Sequence, residues 1–165
     1  QNVAIVGGGD TAAEEATYLA KICNQVHMLV RRDEMRASKI MQERVLNTPN
    51  ITVHWNTAPE EVLGDDAVTG VRLRNTQTQE SSDLAVTGFF VAIGHQPNTG
   101  IFADWLDCDE SGYLIAVPGR SLTKVPGVFV SGDAQDKIYR QAVTAAGTGC
   151  MAALDAERYL VEAGV

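Results

Sequence analysis

The chain has 165 residues, of which 45% are hydrophobic and 21% are charged, and its formal net charge is −8. This composition predicts one ordinary globular domain or two small lobes, and no apolar run approaches the ~20 residues of a membrane-spanning helix. Because nucleic-acid-binding domains are usually basic, the negative charge also argues against a broad nucleic-acid surface.

The first 30 residues predict a strand–helix–strand unit. Residues 2–6 are apolar and end in Gly7-Gly8-Gly9, which indicates a strand followed by a tight turn. Small and apolar side chains then recur at helical spacing over residues 12–23, and residues 26–30 form a second apolar run. A βαβ unit of about this length joins two parallel strands by a right-handed crossover.

The next 65 residues predict a mixed sheet. A helix is expected over residues 36–46 and a third strand over residues 51–55. Residues 71–74 and 84–87 alternate apolar with polar residues, which is typical of half-exposed antiparallel strands in a β-meander. The apolar run "FFVAIG" at residues 89–94 predicts a strand that is buried on both faces.

The segment "HQPNTG" predicts a boundary between two lobes, because Pro97 and Gly100 interrupt the preceding strand. His95 in this segment is as consistent with a structural turn as with a ligand-binding role. Beyond the boundary, "GVFVSGD" predicts a further strand, and a long final helix is expected over residues 141–163. We therefore expect one domain over residues 1–95 and a second over residues 96–165.

The glycine loop has the spacing of a dinucleotide-binding fingerprint, Gly7-x-Gly9-x-x-Ala12. The first glycine permits the turn, the second lets the main chain approach a pyrophosphate, and the small third residue lets the helix pack closely on the strand. We expect Asp10 or Thr11 to cap the helix, whose N-terminal N–H groups favour phosphate. The alternative is a plain glycine turn between a strand and a helix.

The coenzyme choice is indicated by Arg31 and Arg32, which end the second strand. An acid at this position would accept hydrogen bonds from ribose hydroxyls of NAD, whereas guanidinium groups suit the 2′-phosphate of NADP. Arg36 is expected to reach the same point from the start of the next helix. The alternative is a solvated basic patch in which these arginines pair with nearby acids, namely Asp10, Asp33 and Glu34.

The three cysteines are Cys23, Cys108 and Cys150, and their spacing forms neither a C-x-x-C motif nor a metal-ligand pattern. We therefore expect three buried, reduced thiols in a cytoplasmic protein, and we assign no catalytic residue and no metal ligand. Cys150 lies in the apolar segment "GCMAALDA", where a packed, inert thiol is the expected role.

Four segments together resemble the low-molecular-weight bacterial thioredoxin reductases nearly end to end. They are "VAIVGGGDTAAEEA", "RRDEMR", "FFVAIGHQPNT" and "GVFVSGDAQDKIYRQAVTAAGTGCMAALDAERYL". The related alkyl hydroperoxide reductase flavoprotein subunit is a weaker match, because that family uses NADH and has an acid-type pattern where this chain has Arg31 and Arg32.

The resemblance implies an α/β fold, with a Rossmann-like NADPH-binding domain containing a parallel sheet and a β-meander, followed by the C-terminal strand and helix of an FAD-binding domain. It implies a homodimeric enzyme in which NADPH reduces FAD, the flavin reduces a C-x-x-C disulfide, and the dithiol reduces thioredoxin. The implied NADPH contacts are Gly7, Gly8, Gly9, Asp10, Thr11, Arg31, Arg32 and Arg36, and we add Gly94 to the cofactor-binding candidates. The implied flavin contacts are Asp133 for the ribityl hydroxyls and Arg140, Gln141 and Ala142 near the ring.

Asp133 and the final helix also support flavin binding without the resemblance. Asp133 follows an expected strand, and a helix that begins near Gln141 directs positive potential toward an anionic ring. A capping acid and an ordinary core helix are the alternative for this segment.

The chain lacks two features of the family, namely the redox C-x-x-C motif and the N-terminal glycine fingerprint for FAD. We therefore expect it to be the back half of a thioredoxin reductase. Two alternatives are a freestanding NADPH-binding module without redox chemistry and a different NADPH-dependent flavin oxidoreductase.

Overall fold

A computed structural model describes residues 1–164 and divides the chain into two compact units, Gln1–Gly94 and a second unit that begins at His95. None of the helices in residues 1–164 combines the length and the apolar character needed to cross a bilayer. The first unit contains, in chain order, β1 (Asn2–Val6), α1 (Asp10–Leu19), β2 (Gln25–Leu29), α2 (Lys39–Leu46), β3 (Ile51–His54), β4 (Thr57–Leu63), β5 (Gly70–Asn75), β6 (Ser81–Leu84) and β7 (Gly88–Val91).

The first unit is built on a four-stranded parallel sheet with the order β3-β2-β1-β7. The side chains of β1 alternate between its two faces. Val3 and Ile5 pack with the small residues of α1, whereas Ala4 packs with Val71 and Leu73 of the antiparallel sheet β4-β5-β6. The parallel sheet therefore has helices on one face and the β-meander on the other, as the α/β prediction required.

Both helices of this unit are shorter than predicted. α1 ends at Leu19, four residues before the expected end at Cys23. α2 begins at Lys39 instead of Arg36, because the main-chain N–H groups of Arg36 and Ala37 both donate to the carbonyl oxygen of Gly8. Those two bonds hold residues 36 and 37 outside the helix.

The β-meander is confirmed, but its strands differ from the prediction. β4 was not expected, and β6 covers Ser81–Leu84 instead of residues 84–87. Arg72 explains part of this register, because it lies opposite Asp83 and Glu61 and forms ion pairs with both carboxylates, at 3.0 and 2.6 Å. Cross-strand charge pairs of this kind stabilise antiparallel neighbours.

The prediction that "FFVAIG" is buried on both faces was wrong. β7 is an edge strand in the described part of the sheet, and Phe90, Val91 and Ile93 are exposed, whereas Ala92 is buried. A continuous apolar run indicates a strand without telling which of its residues are covered.

The second unit has little regular structure before its long helix α3 (Ala142–Ala163), which confirms the predicted final helix. Two 3₁₀ helices cover Gly100–Phe102 and Gly132–Ala134. The prediction of a strand at "GVFVSGD" was wrong, because the described residues there form only an isolated bridge between Leu122 and Phe129. The core of this unit contains Leu106, Leu114 and Val130.

A buried carboxylate, Asp155, fixes α3 to the rest of the second unit. Asp155 is 4% exposed and accepts hydrogen bonds from the guanidinium of Arg120 and from the main-chain N–H and the hydroxyl of Ser121. The Arg120 contact is the largest of the interactions that hold the pKa of Asp155 far below its ordinary value. This carboxylate is therefore ionised and fully hydrogen-bonded inside the unit.

Candidate functional site

A cleft of about 320 Å³ lies at the carboxyl ends of three parallel strands in the first unit. Its walls come from residues 6–9 at the end of β1, residues 29–32 at the end of β2, and residues 92–94 after β7, with residues 57–59 of β4 closing one side. β1 lies between β2, which follows it through α1, and β7, which follows the β-meander, so the strand order reverses beside β1. Ligands of open α/β sheets bind at such a switch point.

Gly7 is required by close packing at the base of the cleft. A Cβ atom at Gly7 would lie 2.3 Å from the carbonyl oxygen of Ala92 and 2.6 Å from the Cβ of Ala12. Gly9 differs, because a Cβ there would meet no protein atom within 4 Å. Packing within the protein thus explains Gly7, whereas the open space beside Gly9 leaves room for a ligand against the main chain.

The N-terminus of α1 presents free amide groups at this cleft. The first N–H that donates within the helix region is that of Ala13, to the carbonyl oxygen of Gly9 at 3.1 Å. The amides of residues 9–12 donate to no described group, and Gly9 and Thr11 line the cleft. Unpaired helix N-terminal amides and the helix dipole together favour a bound phosphate.

The expectation that Asp10 or Thr11 caps α1 was wrong. Gly9 is the N-cap residue, and no side chain makes a capping bond there. Asp10 does not line the cleft, and its Oδ1 accepts hydrogen bonds from the N–H and the hydroxyl of Ser38 at 2.9 and 2.8 Å. The main-chain N–H of Ser38 is the largest cause that lowers the pKa of Asp10.

Three guanidinium groups surround the end of β2. Arg31, Arg32 and Arg36 all line the cleft and are exposed. Among the described residues, none of their side chains forms an ion pair within 4.0 Å or a hydrogen bond, although Glu34 lines the same cleft. A basic patch neutralised by its own acids would show such pairs, so this arrangement favours an external anion.

The main chain of these arginines is held in place by the β-meander. The hydroxyl of Thr76 donates to the carbonyl oxygen of Arg31 at 3.1 Å, and the N–H of Asn56 donates to that of Arg32 at 3.0 Å. Thr76 N–H in turn donates to the carbonyl oxygen of Asn56 at 2.7 Å. The antiparallel sheet therefore supports the end of β2 as well as covering the core.

Gly94 also lines the cleft, where its φ of +108° favours glycine. A Cβ at this position would meet no atom within 4 Å, so the backbone conformation is the structural reason for glycine there.

The second unit contains the other candidate residues. Asp133 lies in the 3₁₀ helix Gly132–Ala134 and lines a cavity of about 380 Å³ together with Arg140 and His95. Its carboxylate is exposed and makes no hydrogen bond to a described residue. Gln141 is the N-cap of α3, and Ala142 is its first residue. Gln141 and Ala142 therefore stand at the start of α3, where the sequence predicts that the final helix begins.

Asp136 organises the loop before α3, and no sequence pattern singled it out. Its carboxylate accepts N–H bonds from Ile138, Tyr139 and Arg140 at 2.9–3.0 Å, and a hydroxyl bond from Thr144 at 3.1 Å. The Tyr139 amide is the largest cause that lowers the pKa of this carboxyl. Asp136 thereby fixes the loop before α3, in which Arg140 adopts a φ of +48°.

The cysteines are all free in the structure, but they are not all buried. Cys23 and Cys108 are half-buried, and Cys150 is exposed on α3, so the expectation of three buried thiols was wrong. Among the described residues, no group of three or more His, Cys, Asp or Glu side chains could hold a metal ion.

Comparisons with known proteins agree with this geometry. The sequence profile of the pyridine nucleotide-disulphide oxidoreductase family matches residues 1–149. A thioredoxin reductase of Eremothecium gossypii is 57% identical over 161 residues, which cover 97% of this chain and 50% of that relative. A thioredoxin reductase of Streptomyces clavuligerus is 50% identical over 160 residues, with the same two coverages.

Solved structures give the same result. Thioredoxin reductase from Streptococcus pyogenes matches with a TM-score of 0.86 and 36% identity, over 98% of this chain and 53% of that protein. Thioredoxin reductase from Giardia duodenalis matches with a TM-score of 0.78 and 44% identity, over 97% and 53%. The chain thus spans about half the length of these relatives, which include bacterial and eukaryotic proteins. The fold and the matched residues show that the chain belongs to the pyridine nucleotide-disulphide oxidoreductase family.

Proposed function

We propose that the cleft of the first unit binds NADPH in preference to NADH. The observation that carries this proposal is the group of three guanidinium side chains, Arg31, Arg32 and Arg36, at the end of β2 without acidic partners among the described residues. A dinucleotide with a 2′-phosphate supplies an anion there, and the free amides after Gly9 suit its pyrophosphate.

The proposal is tested by calorimetric titration of the chain with NADPH and NADH. Arg31→Ala combined with Arg32→Ala removes charge-assisted contacts worth ~1.5–3 kcal/mol, so NADPH affinity should fall roughly 10- to 100-fold while NADH affinity changes little. Arg44→Ala is the matched control, because Arg44 is an exposed arginine on α2 that does not line the cleft. Equal affinities of the unmodified chain for both coenzymes would overturn the proposal.

We further propose that the chain is the NADPH-delivering half of a thioredoxin reductase. In the intact enzyme the nicotinamide supplies a hydride to FAD, and the electrons pass through a C-x-x-C disulfide to thioredoxin. The support is the similarity to proteins named thioredoxin reductase, each of which this chain matches over about half of its length. Homodimer formation and a cytoplasmic location are parts of the same proposal.

The flavin-binding part of this proposal concerns four residues of the second unit. Asp133 offers an exposed carboxylate that can accept hydrogen bonds from ribityl hydroxyls, and Arg140 lines the same cavity. Gln141 and Ala142 begin α3, whose first amides and dipole favour an anionic ring. The N–H of Ala145 donates to the carbonyl oxygen of Gln141 at 2.9 Å, and the side chains of Gln141 and Thr144 form a capping box with each other's amides. The amides of Ala142 and Val143 donate to no described group and stay available to a ligand.

An activity assay separates this proposal from a freestanding NADPH-binding module. The chain is mixed with NADPH, FAD and oxidised thioredoxin, with and without an N-terminal half of a thioredoxin reductase that carries C-x-x-C. We expect NADPH oxidation only when that half is supplied, since a dithiol relay needs two neighbouring thiols. Turnover by the chain alone that is lost in Cys23→Ser, Cys108→Ser or Cys150→Ser would contradict the assignment of no catalytic residue.

A further inference from the structure

The loop that carries the three arginines is fastened to the glycine loop by four hydrogen bonds. Arg36 and Ala37 donate their main-chain N–H groups to the carbonyl oxygen of Gly8 at 2.7 and 3.0 Å. Ser38 donates its N–H and its hydroxyl to Oδ1 of Asp10 at 2.9 and 2.8 Å. Three consecutive residues at the end of the arginine loop are therefore tied to the turn after β1, 28 residues earlier in the chain.

The Asp10 carboxylate is directed at this loop and not at the cleft. Its neighbours Gly9 and Thr11 line the cleft, whereas Asp10 does not. An unpaired carboxylate at the N-terminus of α1 would repel the phosphates that the free amides attract. The two bonds from Ser38 hold the carboxylate in its observed place and occupy one of its oxygens.

Ser38 is the N-cap residue of α2, but its hydroxyl makes no capping bond to that helix. Serine at an N-cap usually accepts a hydrogen bond from an amide of its own first turn. In this structure the hydroxyl donates to Asp10 instead. The pair therefore links two loops of the cleft, and it does not simply complete the end of α2.

We propose that Asp10 and Ser38 are positioning residues for coenzyme selectivity. Their two hydrogen bonds hold the arginine loop at a fixed place relative to the glycine loop. A dinucleotide with a 2′-phosphate carries its pyrophosphate and its 2′-phosphate in one molecule, so it must contact both loops at once. The two loops must therefore be held at the right distance from each other. The inference rests on the proposed NADPH function, and it assigns to Asp10 a role through Ser38 and not a contact with the coenzyme.

Loss of the pair should affect NADP⁺ more than NAD⁺. The glycine loop keeps its own bonds, from the N–H of Gly7 to the carbonyl oxygen of Leu29 at 3.1 Å and from Ala13 to Gly9 at 3.1 Å. The pyrophosphate contacts common to both coenzymes should thus survive. The guanidinium groups lose part of their anchoring, and only NADP⁺ depends on them strongly.

The test is calorimetric titration of the full chain with NADP⁺ and with NAD⁺, for four variants. Asp10→Ala removes the acceptor of both bonds, and we expect the NADP⁺:NAD⁺ affinity ratio to fall about 10-fold, which equals about 1.4 kcal/mol. Ser38→Ala removes the hydroxyl bond alone and should lower the ratio about threefold. Asp10→Asn keeps an accepting Oδ1 without the charge and should keep most of the ratio.

Asp33→Asn is the matched control for charge. Asp33 is an exposed acid of the same arginine loop and makes no hydrogen bond to a described residue, so neutralising it should not lower the ratio. Urea unfolding of each variant separates positioning from stability. If Asp10→Ala lowers the unfolding midpoint but leaves the ratio intact, or weakens both coenzymes equally, the inference is overturned.

The outcomes also distinguish the inference from the proposed function. A chain that binds NADP⁺ and NAD⁺ equally overturns the NADPH proposal and the inference with it. A chain that prefers NADP⁺, loses that preference in Arg31→Ala with Arg32→Ala, and keeps it in Asp10→Ala and Ser38→Ala overturns the inference alone. Should Asp10→Ala fail to fold, Ser38→Ala and Asp10→Asn make the same comparison.

Discussion

Asp155 of α3 accepts two hydrogen bonds from Ser121, one from the main-chain N–H at 2.9 Å and one from the hydroxyl at 2.8 Å, across 34 residues of sequence. Arg120 adds an ion pair at 2.8 Å to the other carboxylate oxygen. The whole of one acidic side chain is thus satisfied inside the second unit. The segment that precedes Asp133 is thereby tied to the helix that follows Arg140.

Asp155→Ala should loosen the second unit, because it leaves the buried N–H and hydroxyl of Ser121 without their acceptor and also removes the ion pair with the exposed Arg120. Hydrogen exchange of the α3 amides measures this directly, and exchange should become clearly faster. Asp107→Ala is the control, since its ion pair with Lys124 is exposed on both sides and such pairs contribute little. Equal effects of the two changes would contradict the prediction.

Gly7→Ala and Gly9→Ala should separate packing from binding. The Cβ at Gly7 would collide with Ala92 and Ala12, and overpacking of this kind costs about 1–3 kcal/mol or more of unfolding free energy. The Cβ at Gly9 meets no protein atom, so its cost should stay below about 1 kcal/mol, the usual size of an N-cap change.

Gly9→Ala should lower coenzyme affinity even though it changes the free energy of unfolding little. Gly9→Ala places a methyl group beside the free amides of α1, so NADPH affinity should fall about 10-fold in a protein that remains folded. Urea unfolding and NADPH titration on the same preparations give both values. If Gly9→Ala binds NADPH as well as the unmodified chain, the ligand does not approach the main chain at this residue.

Local spacing was enough to predict the part of the site that is local in sequence. Gly7, Gly9 and Arg31 belong to one βαβ unit, whose periodicity gives its strands and helix directly. The wall formed by β4 was not predicted, because its pairing with β5 changes register between Pro59 and Glu61 and breaks the alternation. A bulge of this kind hides a strand from pattern analysis.

Long-range contacts account for the other differences. The bonds of Asp10 to Ser38 and of Asp155 to Ser121 span 28 and 34 residues, and nothing in either local pattern selects the partner. Each partner serine looks like an ordinary polar loop residue in the sequence. The expected strand at Phe129 failed for a related reason, because an extended segment is a strand only where a neighbour pairs with it.

The second unit should bind FAD weakly when it is present without a further FAD-binding segment. Asp133 and Arg140 line an open cavity, and too little ligand surface is covered there for tight binding. The visible spectrum of the chain after incubation with FAD and gel filtration measures retention. A stoichiometric flavin band that survives the column, and that Asp133→Ala removes, would show that these residues are sufficient.

We expect a pair of histidines to make the stability of the first unit depend on pH. His27 and His54 lie on neighbouring strands, with Nδ1 of His27 and Nε2 of His54 3.0 Å apart and both rings half-buried. One of these two nitrogens must be unprotonated for a hydrogen bond to join them. Burial, and then the nearby His54 ring, lowers the pKa of His27, and burial lowers the pKa of His54.

The lowered pKa values determine how the free energy of unfolding changes with pH. Because both pKa values are below the ordinary 6.5, the unfolded chain binds more protons than the folded chain once the pH falls below about 6.5. The histidine contribution to stability is complete above that pH and is lost as the pH falls through the folded-state pKa values. The carboxyls with lowered pKa values, such as Asp10 and Asp136, change the stability only at more acidic pH, near and below their ordinary pKa of 3.8. A change in stability between pH 7.5 and 5.5 therefore reports the protonation of the histidines.

Urea unfolding at pH 7.5, 6.5 and 5.5 tests this dependence in a Trp105→Phe background, where Trp55 of the first unit supplies the fluorescence signal. The midpoint should fall as the pH falls from 6.5 to 5.5. His54→Gln keeps a hydrogen-bonding side chain without titrating in this range, so the fall should become smaller. His95→Gln removes an exposed histidine outside the first unit and should leave the fall unchanged. An identical pH dependence in His54→Gln and in the unmodified chain would show that the pair does not set it.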